Sequence, residues 1–222
     1  MEKVVLISII IHVSAGIGAL ISGATAIILR KNTPRHKPVG RFYFWCMTVI
    51  FVTGIFLSIT KQSLFFFFIA IFTYYATLIA YRALRLKHLH TTQKPMLVDW
   101  LIQGLAGSVF FVMFLVAIFN LSRGNTNSAI ISLFFCTIGL LGVFTNVKRF
   151  MKGPKETLYW LKIHIGNMLG SYIGGITAFL VNQSEYIPVN PLILWLGPTI
   201  ILVPLSFSEI RKVKSKPLTP AV

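Results

Sequence analysis

The sequence contains very few acidic residues. Only five of its 222 residues are aspartate or glutamate, and charged residues together make up 12% of the chain. Hydrophobic residues make up 55%, which is too apolar for a soluble domain of this size. The shortage of charge therefore excludes an ordinary soluble domain and favours a protein that lies in a lipid bilayer.

Several other patterns are missing. The alternation typical of membrane β-strands is absent, so we expect helices. Cys46 and Cys136 are the only cysteines and lie inside apolar runs, where we expect them to act as small packing residues. There is no His-Glu-x-x-His motif, cysteine cluster, phosphate-binding glycine loop, nucleophile elbow or carboxylate pair. The sequence thus offers no standard catalytic motif.

The apolar residues form long runs separated by short polar breaks. A helix needs roughly 20 apolar residues to cross a bilayer, and this criterion predicts an all-α bundle of seven transmembrane helices. We expect one membrane domain over residues 1–210 and a basic cytoplasmic tail over residues 211–222. The predicted spans are Val4–Leu29, Phe42–Ile59, Leu64–Leu84, Asp99–Leu121, Ser128–Val147, Leu158–Val181 and Leu192–Ile210.

The basic residues are distributed unevenly between the two sides predicted by these spans. Of 21 lysines and arginines, only Lys3, Lys61 and Arg123 lie on one side. Because basic loops stay in the cytoplasm, we predict an outer N-terminus and a cytoplasmic C-terminus. The net charge of +16 is then a topology signal that also suits anionic lipid headgroups at the inner face, and we expect no nucleic-acid partner.

Small residues recur every four positions in the first and sixth predicted spans. Such spacing lets helix backbones approach closely in lipid, so we expect a bulky side chain at Gly170 to separate packed helices. The two spans also share six of 18 positions from His12 and His164 onward, and a true repeat remains open. The predicted packing residues are Gly18, Ser22, Gly166, Gly170 and Gly174.

Two histidines lie within predicted spans, where ionisable groups are costly and often functional. His12 lies near the outer side and His164 near the inner side. At 1.5 Å per residue their depths differ by roughly 15 Å, so we do not expect both to bind one haem. Each imidazole could instead bond a neighbouring helix.

The predicted inner side carries further candidate ligands. Together with His164, the side chains of His36, His88, His90 and Asp99 could bind a metal. His88 and His90 could equally be solvated loop residues. Asp99 could instead stabilise the start of its helix or pair with an arginine, either Arg82 or Arg41. Tyr75 belongs to an aromatic stripe that is typical of core packing, and the amides of Gln103, Asn120 and Asn146 could bond across helices.

The segments IHVSAGIGALISGATAIILRKNTPRHKPVGRFYFWCM, LFFFFIAIFTYYATLIAYRAL and HIGNMLGSYIGGITAFLVNQ resemble a known family. It is the uncharacterised bacterial membrane-protein family called domain of unknown function 2306. The resemblance rests on positions including His12, His36, Tyr75, Arg82 and Asp99, and also on Gly40, Arg41 and His164. It implies a multi-pass protein of the bacterial inner membrane and supplies no activity. A looser similarity is to transmembrane cytochromes b, although the second span lacks their paired histidines.

Three functions fit these features. We prefer a redox-type protein that binds a cofactor, haem b or a divalent metal, through buried and inner-face histidines. The alternative is a small-molecule or ion transporter with His12, His164 and Asp99 in a polar pathway. A membrane-embedded metal hydrolase is a second alternative, but the last span has no histidine. The sequence does not indicate an oligomeric state or decide whether the protein is an enzyme.

Overall fold

The computed structural model describes residues 2–29 and 33–213. Over these residues the chain is all-α, as predicted, and contains seven helices. The helices are α1 (Glu2–Ile28), α2 (His36–Thr60), α3 (Leu64–Ala83), α4 (Leu97–Ser122), α5 (Thr126–Lys152), α6 (Tyr159–Asn182) and α7 (Pro191–Arg211). Arg30, Lys31 and most of the predicted basic tail lie outside the described residues.

Two helices extend into segments that the sequence assigned to basic loops. Helix α2 begins at His36 rather than Phe42, and Pro38 falls in its first turn, where the missing N–H has no helical partner to lose. Helix α5 continues beyond Val147 to Lys152. Gly153 is the C-cap residue of the helix, and its φ of 72° suits glycine better than other residues. Several predicted loop cations therefore lie on helices.

Six of the seven helices are long and apolar enough to cross a membrane, and the exception is α6. Helix α6 is less apolar because it carries Lys162, His164, Asn167 and four glycines. Large apolar side chains lie on the outside of the bundle, with Leu97 75% and Ile28 83% exposed. An apolar exterior on a helical bundle is the arrangement of a multi-pass membrane protein.

Helix α3 lies at the centre and contacts α2, α4, α5 and α6. Helix α6 packs against α1, α3 and α7. The largest apolar cluster joins α3, α4, α5 and α7 through Phe68, Met113, Phe135 and Trp195. Both cysteines are buried in separate clusters, which confirms that they are packing residues.

One end of the bundle brings together the last turns of α3 and α5 and the first turns of α4 and α6. We call it the basic end. The segment between α3 and α4 folds over it, with Leu86 5% and Leu89 7% exposed. The Leu89 N–H donates to the Tyr159 hydroxyl at 3.3 Å, and Gln93 bonds the backbone at Arg85 and His88. A segment that the sequence showed only as polar is therefore anchored by buried leucines.

Candidate functional site

An ion pair joins the end of α3 to the start of α4. Arg82 Nε donates to Asp99 Oδ1 at 2.7 Å, and Arg82 Nη2 donates to Oδ2 at 2.9 Å. The carboxylate also accepts the Met96 N–H at 2.8 Å, which stabilises the start of α4. The two side chains are 13% and 1% exposed. Both roles predicted for Asp99 are confirmed, with Arg82 rather than Arg41 as its partner.

A chain of hydrogen bonds links α5, α3 and α4 next to this pair. Arg149 donates to Asn146 Oδ1, and Asn146 Nδ2 donates to the Tyr75 hydroxyl at 3.0 Å. The Tyr75 hydroxyl donates to Gln103 Oε1 at 2.8 Å. The Gln103 side chain is buried, and its Nε2 has no partner. Each side chain, from Arg149 to Tyr75, donates to the next one along the chain. The chain ends at the Gln103 Nε2 group, whose N–H groups have no partner inside the bundle.

A small cavity of about 20 Å³ separates the ion pair from the hydrogen-bonded chain. Arg82 and Asp99 line one part of it, and Asn146, Arg149 and Tyr159 line another. This volume is enough for about one water molecule, and the polar walls could hold one. The ion pair and the chain therefore belong to one polar cluster.

A larger pocket of about 190 Å³ opens at the surface of the basic end, between α5 and α6. Its lining includes three cationic side chains, those of Arg149, Lys155 and Lys162, and one carboxylate, that of Glu156. Lys162 is ion-paired with Glu156. Arg149 lines both the inner cavity and this open pocket, so it lies between the buried cluster and the surface.

The two histidines predicted to lie within spans are bonded to neighbouring helices. His12 Nδ1 lies 2.8 Å from the Thr53 hydroxyl of α2. His164 Nδ1 lies 3.1 Å from the Ala80 carbonyl oxygen of α3. Neither lines the polar cavity or the open pocket. Both positions fit the packing interpretation, in which an imidazole bonds an adjacent helix.

The remaining histidines lie at the basic end without converging on one point. His36 Nδ1 lies 3.2 Å from the Ala26 carbonyl oxygen. The rings of His88 and His90 are stacked with their centroids 6.4 Å apart, and His90 packs edge-on against Tyr159. His88 is exposed, as expected of a solvated loop residue, whereas Nδ1 of His90 is buried without a partner.

The structure therefore does not assemble the predicted metal site from His36, His88, His90, His164 and Asp99. Among residues 2–29 and 33–213, no three histidine, cysteine or acidic side chains are grouped so that they could hold a metal ion. Three of the five candidates, His36, His164 and Asp99, already have other partners. In particular, both carboxylate oxygens of Asp99 accept hydrogen bonds from within the protein.

The small residues that recur every four positions on α1 and α6 contact several different helices. A Cβ on Gly18 would lie 3.0 Å from the Cys46 sulfur on α2, and one on Gly174 would lie 3.1 Å from Thr73 Cγ2 on α3. Ser22 is buried and donates to the Gly18 carbonyl oxygen at 2.6 Å. These three positions allow close helix packing, as the spacing predicts.

The small residues of α1 and those of α6 nevertheless do not pack against each other along the whole length of the helices. A Cβ on Gly166 would lie 3.1 Å from Ile210 Cδ1 on α7, whereas one on Gly170 would have no such neighbour within 4 Å. The expected tight contact at Gly170 is therefore wrong. The close approach of α1 to α6 is at Gly23, where a Cβ would lie 2.4 Å from the Tyr172 ring.

Sequence reasoning predicted that Asn146 could bond across helices, but it missed Arg149 and the site that joins the two residues. The sequence predicts Arg149 to be a loop cation because the apolar run ends at Val147. The available signal was their spacing, since residues three apart lie on one helix face. The sequence points to Tyr75, Arg82, Asp99 and Gln103, but only the packing of α5 against α3 and α4 joins them to this pair.

The chain was compared with models of protein families, with curated proteins and with solved structures. No family model, no curated protein and no solved structure matches it. The resemblance to the domain of unknown function 2306 therefore stays a prediction.

Proposed function

We propose that this membrane protein crosses the bilayer seven times, with an outer N-terminus and its basic end in the cytoplasm. Two observations support α6 as the seventh span. Its 24 residues extend roughly 36 Å at 1.5 Å per residue, and it packs against α1, α3 and α7. Seven spans also keep most of the lysines and arginines on one side, in agreement with the positive-inside rule.

Cysteine labelling on the two sides of α6 tests this topology. With a membrane-impermeant maleimide, we expect Glu185→Cys and Asn125→Cys to react in intact cells and Lys155→Cys to react only after lysis. The parent is the control, because Cys46 and Cys136 are buried. Labelling of positions 155 and 185 from the same side would mean that α6 does not cross.

We further propose that the protein transports a small anion, or a similar solute that accepts hydrogen bonds, through the polar cluster. The observation that carries the proposal is the directed chain from Arg149 through Asn146 and Tyr75 to the free Nε2 of Gln103. Tyr75 and Gln103 lie roughly 9–12 Å inside the ends of their helices. Buried polar groups at such depth in a membrane protein are typical of solute pathways.

Beyond this chain, aromatic side chains pack across the bundle. Phe110 packs edge-on against Tyr75 with ring centroids 5.5 Å apart, and Phe72 lies 5.9 Å from Phe110. Phe135 and Trp195 continue this aromatic layer towards the opposite end. A water-sized polar cavity towards one end and packed aromatic side chains towards the other are compatible with alternating access.

This geometry favours transport over the redox and hydrolase interpretations. Those functions need metal or haem ligands that converge, and among residues 2–29 and 33–213 no three histidine, cysteine or acidic side chains are grouped to hold a metal ion. The transport pathway also differs from the one expected from sequence. His12 and His164 contact neighbouring helices outside the cluster, while Asn146 and Arg149 take part in it.

Anion uptake into proteoliposomes tests the transport proposal. With radiolabelled phosphate, acetate, succinate and chloride, we expect saturable uptake of at least one anion. Tyr75→Phe and Gln103→Leu should reduce it roughly tenfold, about the effect of losing one buried hydrogen bond. Ser108→Ala is the matched control, because Ser108 is exposed and bonds only its own helix. Uptake no greater than in protein-free liposomes for all four anions would contradict transport.

A further inference from the structure

We infer that the open pocket between α5 and α6 at the basic end is a binding site for a phosphate group. The ligand would be inorganic phosphate or the phosphomonoester headgroup of a lipid, which present the same dianionic oxygens. The inference extends the proposed function because Arg149 belongs to both sites. Binding can nevertheless be measured at equilibrium, without any transport.

Arg149 is a half-buried cation in the lining of the pocket. Its guanidinium donates a hydrogen bond to the neutral side chain of Asn146. Among residues 2–29 and 33–213, no carboxylate forms an ion pair with it. The nearby Asp99 already accepts two bonds from Arg82. A half-buried guanidinium without a counter-charge is unfavourable, and its remaining N–H groups form the fork that suits a phosphate.

The other polar groups of the pocket complement this guanidinium. Glu156 is ion-paired with Lys162, so its charge is matched within the pocket and the lining keeps a net positive charge from Arg149 and Lys155. The Tyr159 hydroxyl accepts the Leu89 N–H and can donate its own proton to a phosphate oxygen. The pocket thus offers both charge and directed donors.

The position and size of the pocket point to the same class of ligand. Tyr159 and Lys162 lie in the first turn of α6, a helix of 24 residues whose N-terminus has no side-chain cap. A helix N-terminus favours anions. The volume of about 190 Å³ is below the roughly 300–1,000 Å³ of sites for drug-sized ligands, and it suits a phosphate group.

Calorimetry on the purified full-length protein tests the inference in two arms. One arm titrates inorganic phosphate into protein in neutral detergent. The other titrates short-chain phosphatidic acid, and short-chain phosphatidylcholine as its comparison, into the same detergent-solubilised protein. Heat in the first arm identifies free phosphate as a ligand, and a preference confined to the second identifies the lipid headgroup. The absence of both responses would overturn the inference.

Variants then locate the site. We expect Arg149→Gln to weaken binding at least tenfold and Arg149→Lys to weaken it less, because lysine keeps the charge without the fork. Lys155→Gln should weaken binding severalfold, and it decides the question if the Arg149 variants do not fold, since Lys155 is exposed. Lys148→Gln is the matched control, an exposed cation on α5 outside the pocket. An equal loss in Lys148→Gln and Lys155→Gln would mean diffuse attraction to surface charge and would contradict the site.

Discussion

Gly139→Ala is expected to destabilise the bundle by about 3 kcal/mol, the upper range for overpacking a core. A Cβ at Gly139 would lie 2.6 Å from Cδ2 and 2.8 Å from Cε2 of Phe110. That ring is 0% exposed and is held between Phe72 and Tyr75 at centroid distances of 5.9 and 5.5 Å. Since the ring cannot move aside, α4 and α5 must separate. Thermal unfolding in detergent measures the effect.

Gly170→Ala is the matched control for this experiment. Gly170 also lies within a helix, but a Cβ there would meet no atom of a neighbouring residue within 4 Å. Alanine should therefore be neutral, or stabilising by up to about 1 kcal/mol through helix propensity. Phe110→Leu in the Gly139→Ala background should restore part of the loss, because it removes the clashing ring. Unfolding of Gly139→Ala at the parent temperature would show that α4 and α5 do not pack closely there.

Asp99→Asn is expected to destabilise the protein by about 3–5 kcal/mol, the usual cost of breaking a buried ion pair from one side. The substitution leaves the Arg82 guanidinium, 13% exposed, without its counter-charge. It also weakens the bond to the Met96 N–H. Chemical or thermal unfolding of the detergent-solubilised protein provides the measurement.

A double replacement separates the charge effect from packing. Arg82→Met combined with Asp99→Leu should be much less destabilising than Asp99→Asn alone, because no unpaired charge remains. Glu209→Gln is the control, since its pair with Lys212 is considerably more exposed and should contribute less than about 1 kcal/mol. If Asp99→Asn were no more destabilising than Glu209→Gln, the pair would not hold α3 against α4.

The sequence predicted the helices well because their signals are local. A run such as Leu64 to Leu84 is apolar throughout, and lipid requires a helix wherever such a run crosses it. The boundaries at the basic end were less accurate. His36 and Arg149 lie among polar residues, and hydropathy cannot distinguish a loop from a helical turn that extends beyond the apolar run.

The polar site was predictable only in part. Arg82 and Asp99 could be paired because each lies at the end of an adjacent predicted span, and antiparallel neighbours bring such ends together. Asn146 carries no comparable signal. Which helix its amide bonds depends on the rotation of α5 about its own axis, and α4, α3 and α7 together set that rotation.

What the sequence by itself determined is the class of protein, the number and order of its helices and the end that carries positive charge. These follow from composition and hydropathy, which are sums over neighbouring residues. Only the tertiary structure decided which polar groups meet. In the tertiary structure, His12 and His164 bond neighbouring helices. Gly170 has no tight contact with another helix. Arg149 is linked through Asn146 to Tyr75 and Gln103. Contacts between helices depend on rotation and depth, and a shift of about one residue turns a side chain by roughly 100°.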